Sequence, residues 1–158
     1  MALFLSTFVN KVDRKGRVSV PAPFRAVLAT QSQSFQGIVA YRGFNHPVIE
    51  ASGMDWIEEL SRRLDTLDEL SEERDALSAL FADVQQLPFD GEGRIVLPEA
   101  LVAHAGITEN AAFVGNSGSF QIWEPERFAR HQDERRALVR ERGLTLPARR
   151  LAVTGEAR

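Results

Sequence analysis

The chain has 158 residues, 44% hydrophobic and 26% charged, with a formal net charge of −3; this is enough apolar content to bury one sizeable core or two small ones, and it excludes a disordered chain. The absence of cysteine excludes a disulfide framework, a thiolate nucleophile and a cysteine-based zinc site, and it fits a reducing cytoplasm. Charge is unevenly placed. In residues 11–25, Lys11, Arg14, Lys15, Arg17 and Arg25 are opposed only by Asp13, a local net of +4, whereas residues 50–75 carry a net of −7.

In chain order, Met1 to Leu5 is apolar, but Ser6, Asn10 and Lys11 interrupt the run well short of a signal peptide or a membrane span. Phe8 to Val12 reads as a strand, and Asp13-Arg14-Lys15-Gly16 as a type I turn followed by a left-handed residue. Asp accepts backbone N–H bonds at the start of such a turn, and Gly tolerates positive φ at its end. The turn is expected to close an antiparallel hairpin with a bulge. In the strand that follows, Val18 and Val20 share one face, and Arg17 and Ser19 the other, so Arg17 is expected to point away from the core. Pro21 then ends the strand and opens a short helix with Phe24, Val27 and Leu28 inside, ending near Thr30. Gly37 to Tyr41 and Pro47 to Glu50 read as strands around Gly43-Phe44-Asn45. Asp55 to Val84 has helical periodicity in Trp56, Ile57, Leu60, Leu64 and Leu67, then Leu77, Leu80, Phe81 and Val84. A break is expected near Asp68 to Ser71, with Ser71 capping a second helix whose first turn holds Glu72 and Glu73.

The chain then repeats itself. Phe89-Asp90-Gly91-Glu92-Gly93-Arg94-Ile95-Val96-Leu97-Pro98 matches residues 12–21 at one constant offset: Asp, Gly, Arg and Pro recur, and so do the apolar positions. Asp90 and Gly93 therefore take the turn-forming places of Asp13 and Gly16, and Arg94 that of Arg17. Leu101, Val102 and Ala105 form the second short helix, with Gly106 at its C-terminal end. Ala111 to Gly115 and Ser119 to Trp123 are strands, and a last helix runs from Glu124-Pro125 toward Arg142, before a mobile tail containing Pro147, Arg149, Arg150 and Gly155. The division expected is a first repeat over 1–54, a helical linker over 55–85, a second repeat over 86–132, and a helix end with tail over 133–158.

Enzymatic signatures are missing. His46, His104 and His131 are widely spaced and form no H-x-x-x-H pair, so no metal site is expected. Gly115-Asn116-Ser117-Gly118-Ser119 lacks the final glycine of a nucleophile elbow and joins two strands. Gly91-Glu92-Gly93 lacks the third glycine of a dinucleotide fingerprint. The pairs Glu58-Glu59 and Glu72-Glu73 read as the solvated face of a helix. Neither catalysis nor a cofactor, small-molecule substrate or membrane partner is expected.

The repeated D-x-x-G-R segment with its following proline and helix resembles the MraZ family, whose halves are related to the AbrB-type DNA-binding unit. The likeness covers nearly the whole chain, and is strongest over Val9 to Pro21, with support from His46-Pro47, Trp56, Asp90 to Arg94 and His104-Ala105-Gly106-Ile107. It implies an α+β fold in which two tandem hairpin-and-helix repeats interleave as a small β-barrel pseudo-dimer with additional amphipathic helices. It also implies a cytoplasmic, nucleoid-associated transcription factor assembled as a ring-shaped homo-oligomer. Such a ring would bind direct repeats in the DNA upstream of the division and cell-wall gene cluster, usually to repress it.

By position, the DNA contacts implied are Arg14, Lys15, Arg17 and Arg94. Arg17 or Arg14 has the fork that matches guanine O6 and N7, and Lys15 suits phosphate. Glu92 stands where the first copy has Lys15, so the second loop is expected to offer Arg94 alone or to serve assembly. The alternative reading is a ring-forming interaction scaffold whose acidic helix and basic loops bind each other or a protein partner, with incidental DNA affinity.

Overall fold

A computed structural model describes residues 2–145. The elements are β1 (Thr7–Lys11), β2 (Arg17–Ser19), α1 (Ala22–Gln31), β3 (Gly37–Arg42), β4 (Ile49–Ser52), α2 (Met54–Asp65), α3 (Glu72–Asp83), β5 (Gln85–Pro88), β6 (Arg94–Val96), α4 (Glu99–Ala105), β7 (Asn110–Asn116), β8 (Ser119–Trp123) and α5 (Pro125–Arg142). The fold is α+β. Packing divides it into two units, Met1–Phe128 and Ala129–Arg158. The expected tail residues Pro147, Arg149, Arg150 and Gly155 lie outside the described residues.

The closed barrel expected from the resemblance is not formed. Six strands make an open antiparallel sheet in the order β1-β7-β8-β4-β3-β5, and β2 and β6 make a separate two-stranded ribbon. The hairpin ladders expected inside each repeat are absent too, because the two arms of each hairpin enter different sheets. Two backbone bonds close each hairpin: Asp13 N–H to Arg17 O and Gly16 N–H to Asp13 O, both at 3.0 Å, and Asp90 N–H to Arg94 O at 2.8 Å and Gly93 N–H to Asp90 O at 3.2 Å. The apolar side chains account for this crossing. Val18 lies opposite Ile95 in the ribbon, and both are 1% exposed; burial of this kind stabilises by about 1.5–3 kcal/mol per side chain.

The crossing follows a pseudo-two-fold axis. Arg17 pairs with Val96, Val18 with Ile95, and Ser19 with Arg94, so the register maps onto itself when the two repeats are exchanged. The ribbon ends match as well: Leu97 N–H donates to Gly16 O at 2.8 Å and Val20 N–H to Gly93 O at 3.2 Å. In the large sheet β1 pairs with β7 through Lys11 and Asn110, and β5 pairs with β3 through Pro88 and Gly37. At the centre Glu50 faces Gln121 across β4 and β8, and the Gln121 amide donates to Glu50 Oε2 at 3.0 Å.

One core joins the ribbon, the sheet, α1 and α4. It holds Val18, Val20, Ile95 and Leu97 from the ribbon with Phe24, Leu28, Leu101, Ile38, Ile49, Phe113 and Phe120. Phe4 is fully buried there, 4.9 Å from the Phe120 ring and 5.2 Å from that of Phe24. The N-terminal apolar run is thus a core element, too short for periodicity to reveal. Strand β4 begins two residues later than expected, because Gly43 to Val48 folds as a turn, with Gly43 N–H on Val48 O at 2.9 Å. The helical break falls at Thr66–Ser71, and Ser71 Oγ accepts Arg74 N–H at 3.1 Å as the cap. Leu60 and Leu64 on α2, Leu67 in the break and Leu77 on α3 are only half-buried.

Candidate functional site

The two D-x-x-G-R loops have the same construction. Asp13 Oδ1 accepts the N–H groups of Lys15 at 2.9 Å and Arg17 at 2.8 Å, while Oδ2 accepts Arg17 Nε at 2.7 Å. Asp90 does the same with Glu92 N–H at 2.8 Å, Arg94 N–H at 3.0 Å and Arg94 Nε at 2.8 Å. Gly16 at φ +82° and Gly93 at φ +75° supply the left-handed residue of each turn, a conformation other residues adopt only with strain.

These bonds fix the ionisation of the loops. The Arg17 backbone N–H, more than any other group, holds the Asp13 carboxyl below the usual carboxylate range. The N–H groups of Arg94 and Glu92 do the same for Asp90, and the Asp90 side chain raises the already high pKa of Arg94. The carboxylates therefore remain charged at neutral pH. Reading Asp13 and Asp90 from sequence as turn-formers captured half of their geometry; each also grips the arginine four residues on. The i,i+4 spacing of Asp and Arg was the signal for it.

Arg17 and Arg94 lie on the outward face of the ribbon, opposite Val18 and Ile95, with side chains 37% and 30% exposed. Ser19 and Val96 share this face, and Arg14 and Lys15 are exposed at the tip of the first loop. Since the strands are antiparallel, the loops stand at opposite ends of the ribbon, with Arg17 and Arg94 separated by two residue steps, or about 7 Å along it. Asp13 holds the Arg17 side chain by Nε, and neither Nη group has a partner among the described residues, which leaves a fork that can take two acceptors at once. Arg94 is less open, because its Nη2 also meets Glu92 Oε1 at 3.3 Å.

The charges differ accordingly. The first loop sets Arg14, Lys15 and Arg17 against Asp13, whereas the second sets Arg94 against Asp90 and Glu92. A further cation stands at the second loop. The Arg25 side chain from α1 lies against Gly93, where a Cβ would come within 3.0 Å of its Cδ and Nε. The basic run drew attention to Arg25, but its distance in sequence from residue 93 hid this contact.

Among the described residues, no group of three or more His, Asp or Glu side chains could hold a metal ion, and no helix is long and apolar enough to cross a membrane.

Comparison with known proteins adds a family to this geometry. Over 147 residues the chain is 46% identical to the transcriptional regulator MraZ of Rickettsia akari and 47% identical to that of Rickettsia rickettsii. Each alignment covers 92% of this chain and 97% of the relative. The chain belongs to the MraZ family. The MraZ family model, described as "MraZ protein, putative antitoxin-like", matches residues 80–145. In this MraZ-family chain that span contains β5, the second loop with Arg94, and α4. A counterpart from Rickettsia bellii, also named transcriptional regulator MraZ, is 46% identical over 148 residues.

Proposed function

We propose that the chain is a DNA-binding transcriptional regulator that enters the major groove with the β2–β6 ribbon and its two loops. The observation that carries this reading is the pair of arginines, Arg17 and Arg94, related by the pseudo-two-fold axis and displayed on one outward face. A two-stranded antiparallel ribbon is of a size that the major groove of B-DNA admits. On this reading residues 1–54 and 86–132 are AbrB-like repeats joined by residues 55–85, and their exchange of strands makes one DNA-reading surface from two loops.

The roles follow from the side chains. Arg17, aimed by Asp13, presents its Nη fork to guanine O6 and N7, worth about 1–3 kcal/mol of discrimination. Arg14 and Lys15, exposed at the loop tip, contact phosphate and supply affinity that weakens with salt. Arg94 contributes a second base or backbone contact. One chain makes too few such contacts for tight specific binding, so a ring-shaped homo-oligomer that sets several ribbons on successive direct repeats gains affinity through effective concentration. The relatives' name, transcriptional regulator, supports the regulatory role. The operator we propose is the direct repeats upstream of the division and cell-wall gene cluster, and occupation of a promoter there represses it in the nucleoid of the cytoplasm.

Titration of the protein into a labelled duplex of that promoter and a shuffled duplex of equal length tests the reading. Unaltered protein should prefer the promoter, and Arg17→Ala should lose the preference while sedimenting as the same assembly. Equal affinity of the unaltered protein for both duplexes rejects it. That result would favour the scaffold reading, for which the acidic α2–α3 segment with its half-buried leucines speaks.

A further inference from the structure

We propose that Arg25, on the helix of the first repeat, provides the phosphate contact of the second loop, the part Lys15 plays in the first. The inference rests on the DNA-binding reading above and extends it to a residue outside both D-x-x-G-R motifs. Its starting point is an imbalance: the two loops share the same hydrogen bonds, yet Glu92 occupies the place of Lys15 and also engages Arg94. Taken alone, the second loop would present two carboxylates and one guanidinium to a polyanion.

Arg25 offsets that charge from another element. Its side chain passes over Gly93, and a Cβ at that glycine would stand 3.0 Å from Cδ and Nε and 3.1 Å from Cζ. Nη1 donates to Val20 O, and the Val20 N–H donates to Gly93 O at 3.2 Å. The guanidinium is thereby fixed where the ribbon meets the second loop. The residue is half-buried, and its remaining N–H groups have no partner among the described residues. They are free to meet an anion beside Arg94.

The first loop shows that the fold itself does not require this cation. There the counterpart of Arg25 is Val102, a half-buried apolar residue packed on the core, and a Cβ at Gly16 would meet the Leu97 carbonyl at 2.9 Å and a Val96 methyl at 3.7 Å, with no cation near it. A helix-borne arginine is therefore present at the loop that lacks a lysine and absent at the loop that has one. Each loop then offers one reading arginine and at least one phosphate cation, the first from within the turn and the second from α1 of the other repeat.

The test is a titration of Arg25→Gln, Arg25→Lys and the unaltered chain against promoter and shuffled duplexes over a range of salt, with circular dichroism and melting as fold controls. Arg25→Gln keeps a donor for Val20 O but not the charge. It should lower affinity for both duplexes about tenfold, as loss of a charged hydrogen bond does. Its plot of log affinity against log salt should be shallower by about 0.9, with the promoter preference retained. Arg25→Lys should restore most of the slope. A folded Arg25→Gln with unchanged slope overturns the proposal, and so does Arg25→Lys behaving like Arg25→Gln, which would make Arg25 a brace. Should the unaltered chain bind neither duplex, the DNA-binding reading itself fails, and its own titration shows this separately.

Discussion

Gly16→Ala puts the loop geometry to the most direct test. Gly16 sits at φ +82°, where an L-residue costs about 1–2 kcal/mol. The new Cβ would also stand 2.9 Å from Leu97 O. That oxygen belongs to the backbone, and Leu97 N–H is bonded to Gly16 O at 2.8 Å, so it cannot turn aside without opening the ribbon. Loss of glycine's freedom in the unfolded chain offsets about 0.4–1 kcal/mol, and displacement of the ribbon end adds a comparable amount. A net loss of about 1–2 kcal/mol remains, which for a chain of this length lowers Tm by about 2–8 °C. Because Gly16 N–H anchors the turn on Asp13 O, the aim of Arg17 should suffer as well, with affinity for promoter DNA falling about tenfold. Gly91→Ala is the internal control: no atom lies within 4 Å of its Cβ, and its φ is not positive. Urea unfolding and duplex titration of both variants decide the matter. If Gly16→Ala and Gly91→Ala unfold and bind alike, the left-handed turn is not what positions the loop.

Other perturbations separate the contributions. Lys15→Ala should weaken promoter and shuffled duplexes to the same degree and reduce the salt slope by about 0.9, as measured by anisotropy at several salt concentrations. Ile95→Ala, at a 1% exposed site opposite Val18, should cost about 2–5 kcal/mol in urea unfolding and weaken binding through both loops, since they share the ribbon. Glu50 faces Gln121 across β4 and β8, and burial is the main cause of its raised pKa, against the Gln121 hydrogen bond and the charge of His46. A carboxyl raised on folding contributes stability that is fully present below the unfolded value of about 4.3 and is lost as pH rises through its folded value. Glu50→Gln, which keeps a partner for Gln121, should therefore be more stable than the unaltered chain at pH 7 and level with it at pH 4, as judged by urea midpoints.

How much of this was legible in the sequence depends on the range of the interaction concerned. The D-x-x-G-R turns were legible because Asp and Gly act on their own backbone within five residues, as the bonds of Asp13 and Asp90 show. The short helices were legible through the spacing of Phe24, Val27 and Leu28 and of Leu101 and Ala105. Alternation along Arg17-Val18-Ser19 likewise assigned Arg17 to the outer face. Tertiary structure alone decided which strand pairs with which: periodicity states that Val18 must be buried, and Ile95, the residue that buries it, lies in the other repeat. The open sheet in place of a barrel, the core role of Phe4 and the place of Arg25 on Gly93 belong to the same class. Each depends on atoms brought together across dozens of residues, where the deciding term is the fit of whole apolar faces, which no local pattern encodes.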